Sequence, residues 1–441
     1  MRTILFGLLL FCSGVCFAGD ALPVGKVIGS VSCRSEPSQS YALYIPEKGR
    51  YEALPIVYFF DPHGDGSLPV KKYSVLADLY GFILAGSNNS KNGNDWAATE
   101  KIWRCLSSDT KARLKINASR VYTCGFSGGA KAASYLAIQH PGIKGVIVGG
   151  AGLPDGVSAS DLPFSITAIA GEGDMNMTEL VALNSELDRT RTRHRILFFD
   201  GKHEWASENT MRTAFAGWVF DAMFGRLVPK DNAFIARYIA GSKQRLGGFE
   251  KSNRLIKALQ ECQFSSSLLD GVSDQAAWFT EKAAAIGAEP DYRKQQQAYT
   301  AILATEQNTK AGYMAHFGEP DRNYWTRIIN DLSQRADYST ALGQMNQRLL
   351  AYLSLAFYSL SNRLITANAN AEARPYVELY KLADPTNSEA WYLSALLNAR
   401  EGRQQAAEND LKQAVHVGFN DKDRFSQQPE FKNLPDHQII H

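Results

Sequence analysis

From Tyr41 to Phe224 the chain alternates between short, unbroken apolar runs and longer stretches with helical spacing. The short runs are LPIVYFFDP (54–62), GFILAGS (81–87), SRVYTCGFS (119–127), KGVIVGGAG (144–152), FSITAIAGEGD (164–174) and RILFFDGKHEW (195–205). Continuous rather than alternating apolar residues are what strands covered on both faces require. The stretches between them, Val70–Leu79, Trp96–Ser107, Ala130–Gln139, Thr178–Thr190 and Asn209–Phe224, favour helix. This order predicts an α/β fold: a three-layer sandwich with a mostly parallel sheet over residues 20–225. Beyond Arg226 the strand pattern stops. The glycines and charges of AGSKQRLGGFEK (240–251) predict a linker over 226–250, and polar, helix-favouring sequence predicts an all-α domain over 251–441.

Within that domain, DPTNSEAWYLSALLNAREGRQQAAENDLKQAVHVGF places Trp391, Ala395, Ala407, Leu411 and Ala414 at offsets 0, 4, 16, 20 and 23. These offsets resemble the tetratricopeptide pattern, in which small residues let two antiparallel helices pack closely. A step back of 34 residues, the length of that repeat, reaches Phe357, Ala373 and Val377, with Pro385 closing the earlier unit. Residues 250–345 also read as helical but show no clear phase, so an irregular bundle is the competing expectation.

The N-terminal MRTILFGLLLFCSGVCFAGD has one basic residue, an apolar run from Ile4 to Phe11, and small residues at Ala18 and Gly19. This is the outline of a secretory signal peptide over residues 1–19, so an exported protein is expected. The run is shorter than the roughly 20 residues that span a bilayer, which argues against a stable transmembrane anchor. Val15 before Cys16 does not suit a lipid attachment site. Cys33, Cys105, Cys124 and Cys262 follow, an even number that allows three full pairings. Cys124 lies in a predicted strand and reads more simply as a buried thiol. A chain of 441 residues exceeds one ordinary core. Its formal net charge of +2, without a basic run, gives no footprint for a nucleic-acid partner. No Cys/His cluster has metal-ligand spacing, so neither a metal nor a cofactor is expected.

The candidate chemistry centres on VYTCGFSGGAKAA (121–133), where Gly125-Phe126-Ser127-Gly128-Gly129 fits G-x-S-x-G between a strand-like and a helix-like segment. A nucleophile at such an elbow sits in a strained turn that glycines relieve. It also needs a base, a carboxylate to orient the base, and N–H donors for an oxyanion. In the strand–turn–helix form the chain order is Ser, then the acid, then His. Of the later histidines, His140 and His194 read as surface residues, whereas His203 follows the strand RILFFDG at the edge where open α/β sheets place their sites. Asp174, after FSITAIAGEG, is the candidate acid; an ordinary turn residue is its bland reading. Glu172, two residues earlier in the same stretch, is set aside in favour of Asp174. Asp155, in GAGLPDG, is the competing acid. The oxyanion donors expected are the N–H of Gly128 and one from DPHGDG (61–66), assigned to Gly64. His63 either braces that loop or faces substrate. SNNSKNGNDW (87–96) supplies Asn89 and Trp96 as candidate substrate-binding residues.

Together, HGDG after one strand, GFSGGA at the elbow, GEGD after a later strand and GKHEW at the end resemble the α/β-hydrolase superfamily. The likeness is strongest to secreted esterases similar to polyhydroxybutyrate depolymerases and feruloyl esterases, and it covers residues 40–225. It implies Ser127, Asp174 and His203 as a triad that hydrolyses a small-molecule or polymer carboxylic ester. Asp65 departs from the commoner lipase loop, where a third small residue is expected, and this puts the second oxyanion donor in question. The helical extension is outside that resemblance and is a candidate for binding a protein partner. Two other readings use the same residues: a serine peptidase or amidase, and a helical-repeat binding protein on an inactive hydrolase scaffold.

Overall fold

The computed structural model of the protein describes residues 22–318, 320–432 and 434, so the expected signal peptide lies outside the described residues. Its sheet is built from β1 (Ile28–Ser32), β2 (Ser40–Tyr44), β3 (Leu54–Phe60), β4 (Ile83–Ser87), β5 (Ile116–Phe126), β6 (Ile143–Gly149), β7 (Ser165–Gly171) and β8 (His194–Phe199). The spatial order is β1-β2-β4-β3-β5-β6-β7-β8; β2 pairs antiparallel with both β1 and β4, and the pairings among β3 to β8 are parallel. The six predicted strands are β3 to β8. β1 and β2 were not among them: β1 is an edge strand with one buried residue among five, so it carries no apolar run.

Every residue of β3 is buried, and its side chains alternate between two cores. Ile56, Tyr58 and Phe60 meet α2 (Trp96–Arg113), α3 (Gly128–Gln139) and α4 (Met177–Leu187), while Val57 and Phe59 meet α1 (Ser67–Tyr80) and α5 (Glu208–Phe224). Helices therefore cover both faces of the sheet, which is why its strands read as unbroken apolar runs. The mostly parallel, two-faced sheet is that of the α/β-hydrolase fold.

A helical region follows: α6 (Asn232–Lys251), α7 (Leu255–Leu269), α8 (Gln275–Ala288), α9 (Pro290–Met314), α10 (Arg322–Gln334), α11 (Ala341–Thr366), α12 (Asn370–Ala383), α13 (Ser388–Arg400), α14 (Gln404–His416) and α15 (Lys422–Gln427). The expected linker over 226–250 is therefore mostly helix. Asp231 caps α6 by accepting from the N–H of Phe234, and buried Ile235 and Leu246 hold it down, so packing and the cap outweigh Gly241, Gly247 and Gly248. Phe220 and Met223 of α5 share one core with α6, α7 and α8, and a second core lies among α10 to α14. In that second core Ala373, Ala395, Ala407 and Ala414 are fully buried, as close helix contacts require.

The two parts are joined by a buried charge cluster. Asp221 of α5 accepts from Arg193 at 2.6 Å and from Arg195 at 2.5 and 3.1 Å, while Arg193 also donates to the Leu268 carbonyl of α7 at 2.9 Å. Burial alone would raise the Asp221 carboxyl, but Arg195 and Arg193 hold it below the usual carboxylate range. Its contribution is thus complete above that range and is lost as pH falls through the lowered value. Replacing Asp221 by Ala leaves two guanidinium groups without their anion and should cost roughly 3–5 kcal/mol, read by urea unfolding at neutral pH. A loss below about 1 kcal/mol would contradict the coupling, since surface pairs are worth no more than that.

Candidate active site

β5 ends at Phe126, and the chain turns sharply into α3 through Ser127, whose φ of 53° and ψ of −126° are costly for a residue with a side chain. The turn is fixed because the Ser127 N–H donates to the Gly149 carbonyl of β6 at 2.8 Å. It also needs glycine on either side: a Cβ on Gly125 would lie 2.0 Å from the Gly129 carbonyl oxygen, and one on Gly129 would lie 2.0 Å from that of Phe60. The strain aims the hydroxyl outward over the C-terminal edge of the sheet.

Ser127 Oγ lies 3.0 Å from Nε2 of His203, and Nδ1 of His203 lies 2.9 and 3.0 Å from the two carboxylate oxygens of Asp174. The structure thus brings the three residues of the expected triad into one hydrogen-bonded line. His203 follows β8, and its ring rests on Phe126 at 4.7 Å. Asp174 follows β7 and is 1% exposed. Its carboxylate also accepts from the Asn176 N–H at 2.8 Å, which fixes its orientation. Asp155 is elsewhere: its side chain is 91% exposed and pairs with Lys131 at 2.6 Å. Glu172 turns away from the triad and meets Lys257 and Gln344. His140 pairs with Glu100 and His194 with Asp188, both remote from Ser127 in the hydrogen-bonding pattern.

Gly128 opens α3, so its N–H has no acceptor one turn back in the helix and lies at the positive end of the helix dipole, next in the chain to Ser127. Gly64 does not provide the expected second donor. Its N–H donates to the Asp61 carbonyl at 3.2 Å, because residues 61–66 wrap around Asp61. The Asp61 carboxylate accepts from the His63 N–H at 2.8 Å and from Trp205 Nε1 at 2.8 Å. Burial alone would raise its carboxyl, yet hydrogen bonds from His63 and Trp205 bring it below the usual range. The Asp61 carboxylate, 3.6 Å from Nδ1 of His63, holds that imidazole above its ordinary value, with the ring 80% exposed at the rim.

The other expected rim residues have different places. Asn89 accepts from the Ser40 N–H at 2.7 Å and donates to the Ser38 carbonyl at 3.2 Å, so its amide anchors the β1–β2 connection instead of facing substrate. Trp96, at the start of α2, stacks on Tyr135 of α3 with centroids 4.4 Å apart. Sequence reasoning missed Asn92, whose Oδ1 would lie 2.0 Å from a Cβ at Gly128. Only its place in the polar loop 87–96 pointed toward it. Behind the elbow, Phe126, Ile169, Phe199 and Trp205 enclose a void of about 10 Å³, too small for an acyl group. Among the described residues no His, Cys, Asp and Glu cluster could hold a metal ion, and Cys33, Cys105, Cys124 and Cys262 are free thiols.

Fold and site together define a class: an α/β-hydrolase fold with a serine, histidine and aspartate in line at its elbow. No protein-family model matches the chain, and no curated protein matches it. Among solved structures, the chain is similar to a hyperthermophilic esterase from the archaeon Pyrobaculum calidifontis (16% identity, TM-score 0.37, 46% of this chain and 85% of that one). It is also similar to an S-formylglutathione hydrolase from Agrobacterium tumefaciens (15%, 0.31, 45% and 90%). A third is the fluorophosphonate-binding serine hydrolase F of Staphylococcus aureus (10%, 0.37, 45% and 99%).

The elbow geometry yields its own test. Gly129→Ala forces a methyl against the Phe60 carbonyl and should destabilise the protein by about 3 kcal/mol or more in urea unfolding. A parent-like midpoint would mean that the approach of α3 to β3 is looser than described.

Proposed function

We propose that the protein is a serine hydrolase acting on carboxylic esters. The observation that carries this reading is the unbroken line from Ser127 Oγ through His203 to Asp174, at 3.0 and 2.9 Å, with the serine in its strained elbow. His203 takes the Ser127 proton as the oxygen attacks the ester carbonyl, then gives it to the departing alkoxide. Asp174 holds the imidazole in the tautomer that leaves Nε2 free to accept, and stabilises the imidazolium. The Gly128 N–H and the dipole of α3 receive the oxyanion. Water, activated by His203, then releases the acid from the acyl-enzyme. The amide of Asn92, beside Gly128, contacts the substrate near this point.

The remaining parts of the reading rest on sequence. The apolar N-terminal run supports export, and the buried alanines of α12 to α14 support a tetratricopeptide-like arrangement that offers a protein-binding surface.

With p-nitrophenyl acetate as substrate, Ser127→Ala should lose turnover by several orders of magnitude while unfolding like the parent. Asp174→Asn should slow kcat by roughly 10³ to 10⁴ with little change in KM. Asp155→Asn should stay within about tenfold of the parent, because the exposed Asp155 only pairs with Lys131 and touches no triad residue. Undiminished turnover by Ser127→Ala overturns the reading, and a matched anilide cleaved faster than the ester replaces esterase by amidase.

A further inference from the structure

Three helices of the C-terminal region converge on one turn of the α/β part, and that turn carries Asp174. On the sheet side, the Glu172 N–H donates to the Phe199 carbonyl at 2.9 Å and the Gly173 N–H to the Gly201 carbonyl at 2.8 Å. On the helical side, the 8%-exposed Glu172 pairs through its carboxylate with Lys257 of α7 and accepts from Gln344 of α11 at 2.9 Å. Its backbone carbonyl accepts from Nη1 of Arg348, also on α11, at 2.5 Å. Arg348 is fully buried and is held by Glu306 of α9 at 2.8 Å, with Lys310 on the same carboxylate at 2.7 Å. Gln347 and Tyr338 close over Gly173, where a Cβ would approach them to 3.2 and 3.3 Å. Tyr299 of α9 donates to Met177 Sδ at 3.6 Å, just beyond the turn.

Burying ions costs several kcal/mol each before pairing repays it, and unlike the cluster at Asp221 this one closes on the turn that carries a triad residue. Here the ions are buried, and they are spent on the residue two places before the putting of a carboxylate against His203. Burial pushes the Glu172 carboxyl above its ordinary value, and its pairing with Lys257 opposes this. The turn has no regular pairing of its own past Gly173. A displacement of about 1 Å there would degrade the Asp174–His203 hydrogen bonds, and misplacement on that scale can cost about 10²-fold in rate.

We infer that Arg348, Lys257 and Gln344 are positioning residues that set Asp174 against His203, so that the helical region is part of the catalytic unit. This rests on the serine-hydrolase reading above. The geometry assigns Arg348 to the backbone of the turn, and Lys257 and Gln344 to the Glu172 side chain.

The test uses the full chain and p-nitrophenyl acetate. Gln344→Ala, Lys257→Met and Arg348→Lys should each lower kcat by about 10- to 100-fold with KM within about threefold of the parent. Introduced into Asp174→Asn, the same changes should lower kcat by no more than about twofold, because the carboxylate they position is already gone. A merely structural role would lower activity by the same factor in both backgrounds, and that result overturns the inference. Parent-like kcat in both Gln344→Ala and Lys257→Met overturns it as well, even if Arg348→Lys does not fold. If Ser127→Ala retains the parent's turnover, the hydrolase reading falls first and takes the inference with it. If Ser127 is required and the three variants are silent, only the inference falls.

Discussion

The turn from Gly171 to Asp174 has to meet two demands at once. It must continue the pairing of β7 with β8, where Gly171 lies opposite Phe199 and Gly173 donates to Gly201. It must also release Asp174 so that both carboxylate oxygens lie within 3.0 Å of His203 Nδ1. Because β7 lies between β8 and the strands that lead to the elbow, the acid loop sits between the histidine loop and the serine. The histidine therefore reaches back across the acid loop toward β5, and its ring lands on Phe126.

The strain at Ser127, of order 1–3 kcal/mol, persists only where the surroundings fix it. Several loops at this edge are cross-tied by groups that have no chemical step of their own. Asp61 holds the loop after β3 and, through Trp205, the segment that follows His203. Asn176 donates to the Gly150 carbonyl at 2.8 Å, joining the loop after β7 to that after β6. These are buried or half-buried polar bonds, so each fixes direction as well as distance.

Most of this was legible in the sequence where local physics decides the outcome. Strands buried on both faces appear as unbroken apolar runs, so β3 to β8 could be read directly, and Ser127, Asp174 and His203 each follow one of them. β1 escaped because an edge strand with exposed positions has no such run. The segment before Lys251 was misread because glycine disfavours helix locally, whereas the cap at Asp231 and the burial of Leu246 are decided by the surroundings. Gly64 was misassigned for a related reason: a glycine beside a histidine says nothing about whether its N–H is already bound to Asp61. Least legible were the partners of Glu172. Lys257, Gln344 and Arg348 stand 85 to 176 residues away in sequence, and only the approach of α7 and α11 to the turn after β7 brings them together.

The central claim is that this edge of the sheet makes one serine a nucleophile. The measurement that tests it most directly is mass spectrometry of the full-length protein after exposure to a fluorophosphonate. The account predicts a single covalent adduct, located on the peptide that contains Ser127 and lost in Ser127→Ala. An unmodified protein, or an adduct that persists on another residue in that variant, would contradict it.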